Sequence, residues 1–210
     1  MFDVVIVGGG VSGINLLRNL NEKINSILIT DKKLGKSNSL MAQGGIQVPD
    51  NNVVSKNLMV KDILNSGRGK SIKKLVENFV SEINYAYEDL ISLGILFKKE
   101  KENYLKLLAG GCSEKRVLTT GDMLGVQIVK KLMSEVNKKK RNFLEFTEVI
   151  HIEKFNNNFK IIIKNLNTEE TKEIESKIVV LCCGGTTYDY ALKNSSKTTN
   201  IPNINHKIRL

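Results

Sequence analysis

A run of glycines between two short apolar segments constrains the fold of this 210-residue chain more than any other feature. The run has the spacing GxGxxG, and we predict that its six residues contact a ligand: Gly8, Gly9, Gly10, Val11, Ser12 and Gly13. A short run over residues 3–7, apolar from Val4 to Val7, precedes it, helical spacing follows over residues 11–20, and a second apolar segment occupies residues 26–30. Strand, glycine turn, helix and strand within about 30 residues predict a βαβ unit of the kind that binds dinucleotides.

Three glycines of this motif have separate physical roles in such a site. Gly8 permits a tight turn out of the strand, Gly10 lets a pyrophosphate approach the backbone, and Gly13 lets the helix pack closely on the sheet. Free N–H groups and the positive dipole at the helix N-terminus attract the phosphates. Asp31, 18 residues beyond Gly13, stands where an acid accepts hydrogen bonds from the ribose hydroxyls. The alternative, a glycine-rich turn without a ligand, is disfavoured by the order of these elements.

The middle of the chain predicts a long loop and two inserted helices. Residues 33–54 are rich in glycine and asparagine and are expected to form a loop. A helix is predicted over residues 71–93, because its apolar positions have the three-four spacing of a stripe that faces a core. Ser71 can cap the start of this helix and Gly94 its end. A second helix is predicted over residues 122–136, with Thr120 as a candidate cap.

The remaining segments predict a β-meander that returns to the first sheet. Strands are expected over residues 143–154, 159–164, 170–175 and 177–183, with a turn at 156–158. The last strand is a continuous apolar run, which favours a central strand buried on both faces. The expected fold class is therefore α/β, a Rossmann-like domain with inserted helices and a β-meander.

Composition argues against several other kinds of protein. Lys and Arg total 32 against 22 acidic residues, but they are scattered and no aromatic residues interleave with them, so no nucleic-acid surface is predicted. The net charge of +10 is the background of a lysine-rich chain or a weak attraction for small anions. No apolar run reaches the ~18 to 20 residues that span a bilayer and no signal peptide is recognisable, so we expect a cytoplasmic protein. Cys112, Cys182 and Cys183 form no CxxC pair, so neither a metal site nor a disulfide framework is predicted.

The segment after the βαβ unit carries a family resemblance. Nine of its residues are predicted to contact the cofactor: Ser37, Asn38, Ser39, Leu40, Met41, Ala42, Gln43, Gly44 and Gly45. With Ile46 they closely resemble the Ser-rich, Ala-Gln-Gly-Gly loop of the flavoproteins that include L-aspartate oxidase and the flavoprotein subunits of succinate dehydrogenase and fumarate reductase. Small side chains there let backbone amides reach a pyrophosphate and an isoalloxazine ring. The resemblance implies that the dinucleotide is FAD.

Four further segments resemble the same family in the same order. Residues 90–97 are similar to the helix end before the family's active-site segment, and Gly110 to Ser113, Arg116 to Leu118, Asp122 and Gly125 are similar to that segment itself. Residues 178–185 resemble an apolar strand ending in Thr-Gly-Gly, with Cys183 in place of Thr, which makes Gly184 a predicted FAD contact. Residues 197–201 resemble a later loop. The resemblance implies that residues 1–210 form the N-terminal part of an FAD-binding domain, without the family's substrate-capping domain.

Asn38 separates the branches of this family. Members that attach FAD covalently carry a histidine at this place, so asparagine implies non-covalent FAD and favours the aspartate oxidase branch. That branch oxidises L-aspartate to iminoaspartate, the first step of NAD biosynthesis, and oxygen or fumarate reoxidises the flavin. Arg116 is the candidate catalytic residue, with a polar role near the flavin. The alternative for Arg116 is a surface salt bridge.

Two other functions stay open. Ala109 stands where aspartate oxidases carry an acid, Cys112 stands where they carry a histidine, and neither His151 nor His206 falls in a family motif. A soluble fumarate reductase or succinate dehydrogenase-like flavoprotein is one alternative, and a non-catalytic flavin-binding module is the other. The expected partner is a small dicarboxylate, L-aspartate or fumarate, and the chain is expected to be inactive alone if it is a fragment.

Overall fold

The computed structural model describes residues 1–186, and the segment 197–201 and His206 therefore lie outside the described residues. The described part forms two compact units. The first contains Met1–Leu40 and the described residues from Leu132 onward, and the second is Met41–Lys131. None of the helices in residues 1–186 has the length and apolar character needed to cross a membrane.

Four helices and eleven strands make up this part of the chain. The helices are α1 (Val11–Asn19), α2 (Val53–Ser66), α3 (Lys73–Ser92) and α4 (Leu124–Lys138). The strands are β1 (Phe2–Val7), β2 (Ser26–Ile29), β3 (Ile46–Gln47), β4 (Lys99–Glu100), β5 (Asn103–Tyr104), β6 (Lys106–Leu107), β7 (Val117–Leu118), β8 (Asn142–Leu144), β9 (Thr147–Phe155), β10 (Asn158–Asn165) and β11 (Thr171–Leu181). Short 3₁₀ turns occur at Asn38–Met41 and Gly184–Thr186.

The first unit is built on a six-stranded sheet in the order β8-β2-β1-β11-β10-β9. The strands β8, β2, β1 and β11 run parallel, and β9, β10 and β11 form an antiparallel meander. Val5 lies opposite Ile27 on one side and Val179 on the other. Its core includes Val5, Ile29 and Ile161, all fully buried. The predicted α/β class, Rossmann-like unit and β-meander are confirmed.

The second unit has two small cores of its own. Met59 of α2 packs with Val76 and Val80 of α3 in one of them. The other contains Val48, Ile95, Phe97, Leu118 and Leu124. Antiparallel pairing joins β3 to β7 and β7 to β6, and β4 and β5 form a separate hairpin.

Three predictions for the middle of the chain were wrong. The expected loop over residues 33–54 contains a 3₁₀ turn and β3, and α2 begins at its end without having been predicted. Asn52 caps α2 by accepting a hydrogen bond from the Ser55 N–H. Ser71 does not cap α3, because the helix begins at Lys73 after Ile72, with no side-chain hydrogen bond at its cap. The Thr120 hydroxyl is buried without a hydrogen-bond partner among the described residues, so it caps nothing there. Gly94 follows the end of α3 with φ +78°, as its predicted role requires.

The strand boundaries were also corrected by the structure. The single strand expected over residues 143–154 is two strands, because Phe146 has φ +49° and turns the chain between β8 and β9. The two strands expected between 170 and 183 are one, β11, which pairs with β10 in its first half and with β1 in its second. This strand is central, yet Ile178 is 53% exposed, so it is not buried on both faces as predicted.

Candidate functional site

The predicted dinucleotide residues of the first unit follow the carboxyl ends of its parallel strands. β1 ends before Gly8, β2 ends before Thr30 and β11 ends before Cys182. Parallel strands place their carboxyl ends at one edge of the sheet, so these three turns share that edge. The chain goes from β1 to β2 on one side, while β11 pairs on the other side of β1. Such a reversal of strand order is where open α/β sheets bind ligands.

Gly8 and Gly13 are required by the fold itself. Gly8 has φ +117°, and a Cβ there would lie 2.4 Å from the carbonyl oxygen of Cys182. A Cβ on Gly13 would lie 2.0 Å from the carbonyl oxygen of Gly8, where α1 crosses the turn. Gly9 is also crowded, since a Cβ would lie 2.7 Å from the Thr30 hydroxyl. No side chain fits at these positions without moving the backbone or the strand end beside it.

Gly10 differs from the other glycines of the motif. Its φ of −83° and ψ of −176° are extended backbone that any residue adopts. The nearest atom to a Cβ built there is the Ser37 Oγ at 3.4 Å, which is an ordinary contact distance. The fold therefore does not need glycine at this position. A ligand that approaches the backbone closely would need it.

The groups around Gly10 fit a phosphate. The Ser37 Oγ is buried and has no hydrogen-bond partner among the described residues, which is a costly state unless a ligand or water completes it. The Ser39 Oγ accepts a hydrogen bond of 3.3 Å from the Val11 N–H. Val11 and Ser12 belong to the first turn of α1, whose N–H groups have no partner inside the helix and carry its positive dipole end. Hydroxyl and amide donors thus meet where the motif predicts the pyrophosphate.

Asp31 lies just beyond β2, as expected for a ribose-binding acid. Its side chain is 58% exposed, and its carboxylate is 3.9 Å from the Lys32 ammonium. Thr30 before it is buried, and its backbone bonds both to Leu144 and to Thr147. The strand end that presents Asp31 is therefore fixed, while the carboxylate itself remains accessible to a ligand.

Other residues that are predicted to contact the cofactor lie in two short 3₁₀ turns. Asn38 and Leu40 lie in the 3₁₀ turn after Ser37, and Met41, which ends it, is 73% exposed. Gly184 has φ +64°, and nothing lies within 4 Å of a Cβ built on it. Their contacts with a cofactor stay predictions.

The predicted residues 42–45 lie in the second unit and are held by its backbone. The Ala42 carbonyl accepts a hydrogen bond of 2.9 Å from the Gly125 N–H, close to the start of α4. Gln43 accepts from the Gly45 N–H at 3.0 Å, and Gly44 turns the chain with φ +84°. A Cβ on Gly45 would lie 2.3 Å from the Leu118 carbonyl oxygen. The loop is thus fitted against β7, and glycine at 45 is required for that contact.

Arg116 is fully buried in the second unit, which excludes the surface salt bridge considered as its alternative. Its Nη2 donates to the Asp62 carboxylate on α2, and its Nη1 lies 3.4 Å from a carboxylate oxygen of Glu114. Burial lowers the pKa of the guanidinium from its ordinary value, and the two carboxylates compensate its charge. Its predicted role near the flavin remains a prediction.

Asp62, Glu114 and Ser55 take part in this buried cluster and were missed by the sequence predictions. Asp62 also accepts hydrogen bonds from the Ser113 N–H, at 2.8 Å, and from the Ser113 hydroxyl. The Ser55 hydroxyl donates to Glu114. Recognising α2 would have shown Ser55 and Asp62 to lie two turns apart on one face, because seven residues are close to two helical turns.

The second unit also contains an open apolar groove of about 740 Å³. It lies along α3, where Ile72 and Leu75 are each 60% exposed and Phe79 is 56% exposed. Gln47 and Ser71 are the polar residues, other than Tyr87, among those that line it. With no charged group in its lining, this groove offers no acid-base chemistry, and none of the predicted cofactor residues lines it.

Comparison with known proteins agrees with the prediction of a dinucleotide-binding domain. Residues 3–205 match a protein family described as FAD binding domain. L-aspartate oxidase from Clostridium perfringens is 29% identical over 188 residues, which are 87% of this chain and 42% of that protein. L-aspartate oxidase from Clostridium acetobutylicum is 31% identical over 151 residues, which are 71% of this chain and 34% of that protein.

A solved structure shows the same fold. The Escherichia coli quinol fumarate reductase FrdA superimposes with a TM-score of 0.80 at 18% identity, over 88% of this chain and 33% of that one. The chain spans 34% to 42% of the length of the two aspartate oxidases. The family match covers almost all of the chain. The ligand that this family is named for, FAD, contains a pyrophosphate, and the donor groups around Gly10 suit a phosphate. The chain belongs to the FAD binding domain family, and FAD is its cofactor.

Proposed function

We propose that this chain provides the FAD site of an oxidoreductase of the L-aspartate oxidase type, which converts L-aspartate to iminoaspartate. The two Clostridium proteins described above are L-aspartate oxidases, and they are 29% and 31% identical to this chain. The observation that carries the cofactor part of the proposal is Gly10, the glycine of the motif that the fold does not require. Since the fold has room for a side chain at this position, close approach of a ligand to the backbone is the reason that we propose for glycine there.

The residues of the first unit have distinct roles in this proposal. The Gly10 backbone and the first turn of α1 bind the pyrophosphate, and the Ser37 hydroxyl donates to it. Asp31 accepts hydrogen bonds from the ribose hydroxyls. Bound FAD would supply a hydride acceptor for the substrate carbon. The chain itself binds and orients the cofactor.

The cofactor assignment is tested by titrating the purified protein with FAD and following the quenching of flavin fluorescence. We expect the native chain to bind. Gly10→Ala should fold normally, since its new methyl meets no atom closer than 3.4 Å, yet bind FAD at least about tenfold more weakly, because the methyl stands in the path of the phosphates. Gly10→Val should bind more weakly still. The assignment is wrong if the native protein is folded by circular dichroism and yet is colourless once the excess, unbound FAD has been removed.

We further propose that the FAD is non-covalent, because Asn38 has no imidazole nitrogen with which to form a bond to the flavin. Precipitation of the loaded protein with acid should release all of the flavin into the supernatant. Yellow colour kept in the washed pellet would contradict this part of the proposal.

The substrate part of the proposal predicts an incomplete site on this chain alone. A dicarboxylate needs charged donors, each worth about 1.5 to 3 kcal/mol, and the Arg116 fork is already directed at Asp62 and Glu114. Ala109 cannot act as an acid or a base. We therefore expect no stereoselective bleaching of the bound flavin when L- and D-aspartate are compared under anaerobic conditions. Saturable bleaching by L-aspartate alone would show that the substrate site is complete.

The fumarate reductase alternative gives a different result in the same apparatus. Fumarate does not separate the two assignments, because it reoxidises the flavin in the aspartate oxidase branch as well. Succinate does, and we expect it to leave the oxidised flavin unbleached under anaerobic conditions. Saturable bleaching by succinate, without any effect of L-aspartate, would favour the fumarate reductase or succinate dehydrogenase-like alternative.

A further inference from the structure

The starting observation is a buried ion cluster that ties one segment of the second unit to α2. Arg116 is fully buried and donates to Asp62, and Asp62 also receives both the N–H and the hydroxyl of Ser113. Glu114, which lies between Ser113 and Arg116 in the sequence, accepts a hydrogen bond from the Ser55 hydroxyl. Both Ser55 and Asp62 belong to α2, so residues 113–116 are attached to this helix at two points.

The same segment continues directly into β7. The Val48 N–H donates to the Arg116 carbonyl at 2.8 Å, and β7 pairs with β3 through Leu118 and Ile46. Gly45, immediately before β3, faces the Leu118 carbonyl so closely that a Cβ would lie 2.3 Å from it. Gly45 is therefore packed directly against β7, and the Arg116 cluster attaches the residues that lead into β7 to α2.

Polar groups in this cluster are costly to disturb. A buried guanidinium without its carboxylate is strongly unfavourable, so removing either partner of the Arg116–Asp62 pair should be costly. The arginine guanidinium is a rigid planar group whose several N–H donors can bind two carboxylates at once, whereas the lysine ammonium is a compact point charge without that fixed geometry. Because Arg116 is enclosed on all sides and its hydrogen bonds go to Asp62 and Glu114, its side chain acts on neighbouring segments of its own unit.

We propose that Arg116 is a positioning residue, which fixes the cofactor loop of residues 42–45 through β7 and β3, and not a group that contacts substrate. This proposal rests on the proposed function and on the prediction from the sequence that residues 42–45 contact FAD. Asp62 and Ser113 belong to the same device, because they hold the guanidinium and its segment on α2. Loss of the device displaces the loop without removing any atom that binds the cofactor.

The test compares FAD affinity, stability and amide hydrogen exchange in matched variants. Arg116→Lys and Asp62→Asn should speed exchange at the β3 and β7 amides and raise the FAD Kd by about tenfold or more, as expected when a binding group is misplaced. Ser113→Ala removes one hydrogen bond of the same cluster and should raise the Kd by about threefold, so it keeps the test informative if the first two variants do not fold.

Val80→Ala is the control for a purely stabilising role. Val80 is 1% exposed and packs with Met59 of the same α2, but it belongs to a core that contains no residue of β3 or β7. Its loss should lower the stability of the second unit while the FAD Kd stays within about twofold. The proposal is overturned if Val80→Ala weakens FAD binding as much as Arg116→Lys at equal stability.

The two proposals fail in different ways. If the native chain does not bind FAD, the proposed function is wrong. If the native chain binds FAD and Arg116→Lys, Asp62→Asn and Ser113→Ala bind it equally well while exchange at β3 and β7 is unchanged, the positioning role is wrong and the cofactor assignment stands.

Discussion

The two units of this chain bury their apolar residues very differently. In the first unit, Val5, Leu28 and Ile161 of the sheet are completely buried. In the second unit, the stripe of α3 is divided, with Val76 and Val80 buried and Leu75 and Phe79 more than half exposed, like Ile72 just before the helix. Periodicity therefore shows which face of a helix is apolar, but it does not show whether the same chain covers that face.

The difference also separates two uses of glycine in one motif. Gly8 and Gly13 serve the packing of the first unit, since a Cβ at either position would strike backbone oxygen. Gly10 has room for a Cβ, and we propose that a ligand is the reason for glycine there. Substitutions in the glycine motif can therefore distinguish packing from binding. Substitutions of apolar residues can show whether the buried ones of the first unit contribute more to stability than the exposed ones of the second.

The largest effect is expected for Gly13→Ala. Its methyl would lie 2.0 Å from the Gly8 carbonyl oxygen, so α1 must move away from the sheet. We expect a loss of unfolding free energy of more than about 4 kcal/mol, in the range reserved for strained backbone and broken packing. Urea denaturation followed by circular dichroism measures it. Gly10→Ala is the matched control in the same turn and should lose no more than about 1 kcal/mol, so equal losses would remove the distinction between the two glycines.

The next effect is expected for Leu28→Ala in β2. Leu28 is fully buried in the sheet, so its removal leaves a cavity and should lower the unfolding free energy by about 3 kcal/mol. The midpoint of urea unfolding should fall, while the slope of the transition stays unchanged. A loss below about 1 kcal/mol would mean that the first unit is not packed as tightly as its burial indicates.

The same substitution at Leu75 in α3 should have little effect on stability. Leu75 is 60% exposed, and alanine is at least as good a helix former, so we expect a change within about 0.5 kcal/mol. Binding of an apolar fluorescent dye should decrease, because the groove loses part of its lining. If Leu75→Ala destabilises the chain as much as Leu28→Ala, then a second copy or another segment covers this face in solution.

The smallest effect is expected at the surface pair of Asp3 and Lys177, which joins β1 to β11. A hydrogen bond of 2.7 Å from Lys177, together with the Asn25 N–H, holds the pKa of Asp3 below its ordinary value of 3.8. The stabilisation is present above that value and is lost as the pH falls through the lower pKa of the folded state. Lys177→Met should therefore reduce the difference in urea midpoint between pH 6 and about pH 3, where the carboxyl titrates. An unchanged difference would show that the pair contributes nothing, as many exposed pairs do.

The sequence predicted the first unit well because its signals are local. The GxGxxG spacing, two short apolar runs and an acid after the second run lie within residues 3–31, and each maps onto a turn, helix or strand end close to its predicted place. The turn predicted at residues 156–158 is found between β9 and β10 for the same reason, and Asn156 has φ +53° there. Only the ends of these elements shifted, by one residue or so.

The second unit was harder because its decisive interactions are remote in sequence. α2 was missed because Val53 and Val54 are exposed, so its start lacks a clean stripe, and Asn-rich sequence precedes it. Arg116 stood out as a motif residue, but its partner Asp62 lies 54 positions away and no local pattern links them. Spacing predicts neighbours along an element, whereas a buried ion cluster is formed by the tertiary fold.

The pairing of β1 with β11 has a consequence for how the protein is made. Phe2 lies opposite Ser176, so β1 has one edge unpaired until the residues of β11 have been synthesised. Contacts of such long sequence separation form slowly, and an unpaired strand edge is a template for association with other chains. The contact between Gly8 and Cys182 belongs to the same late step. The turn after β1 therefore gains its neighbour at Cys182 only after β11 has been synthesised, and a ligand that binds only the folded chain then draws the folding equilibrium toward the finished sheet by mass action.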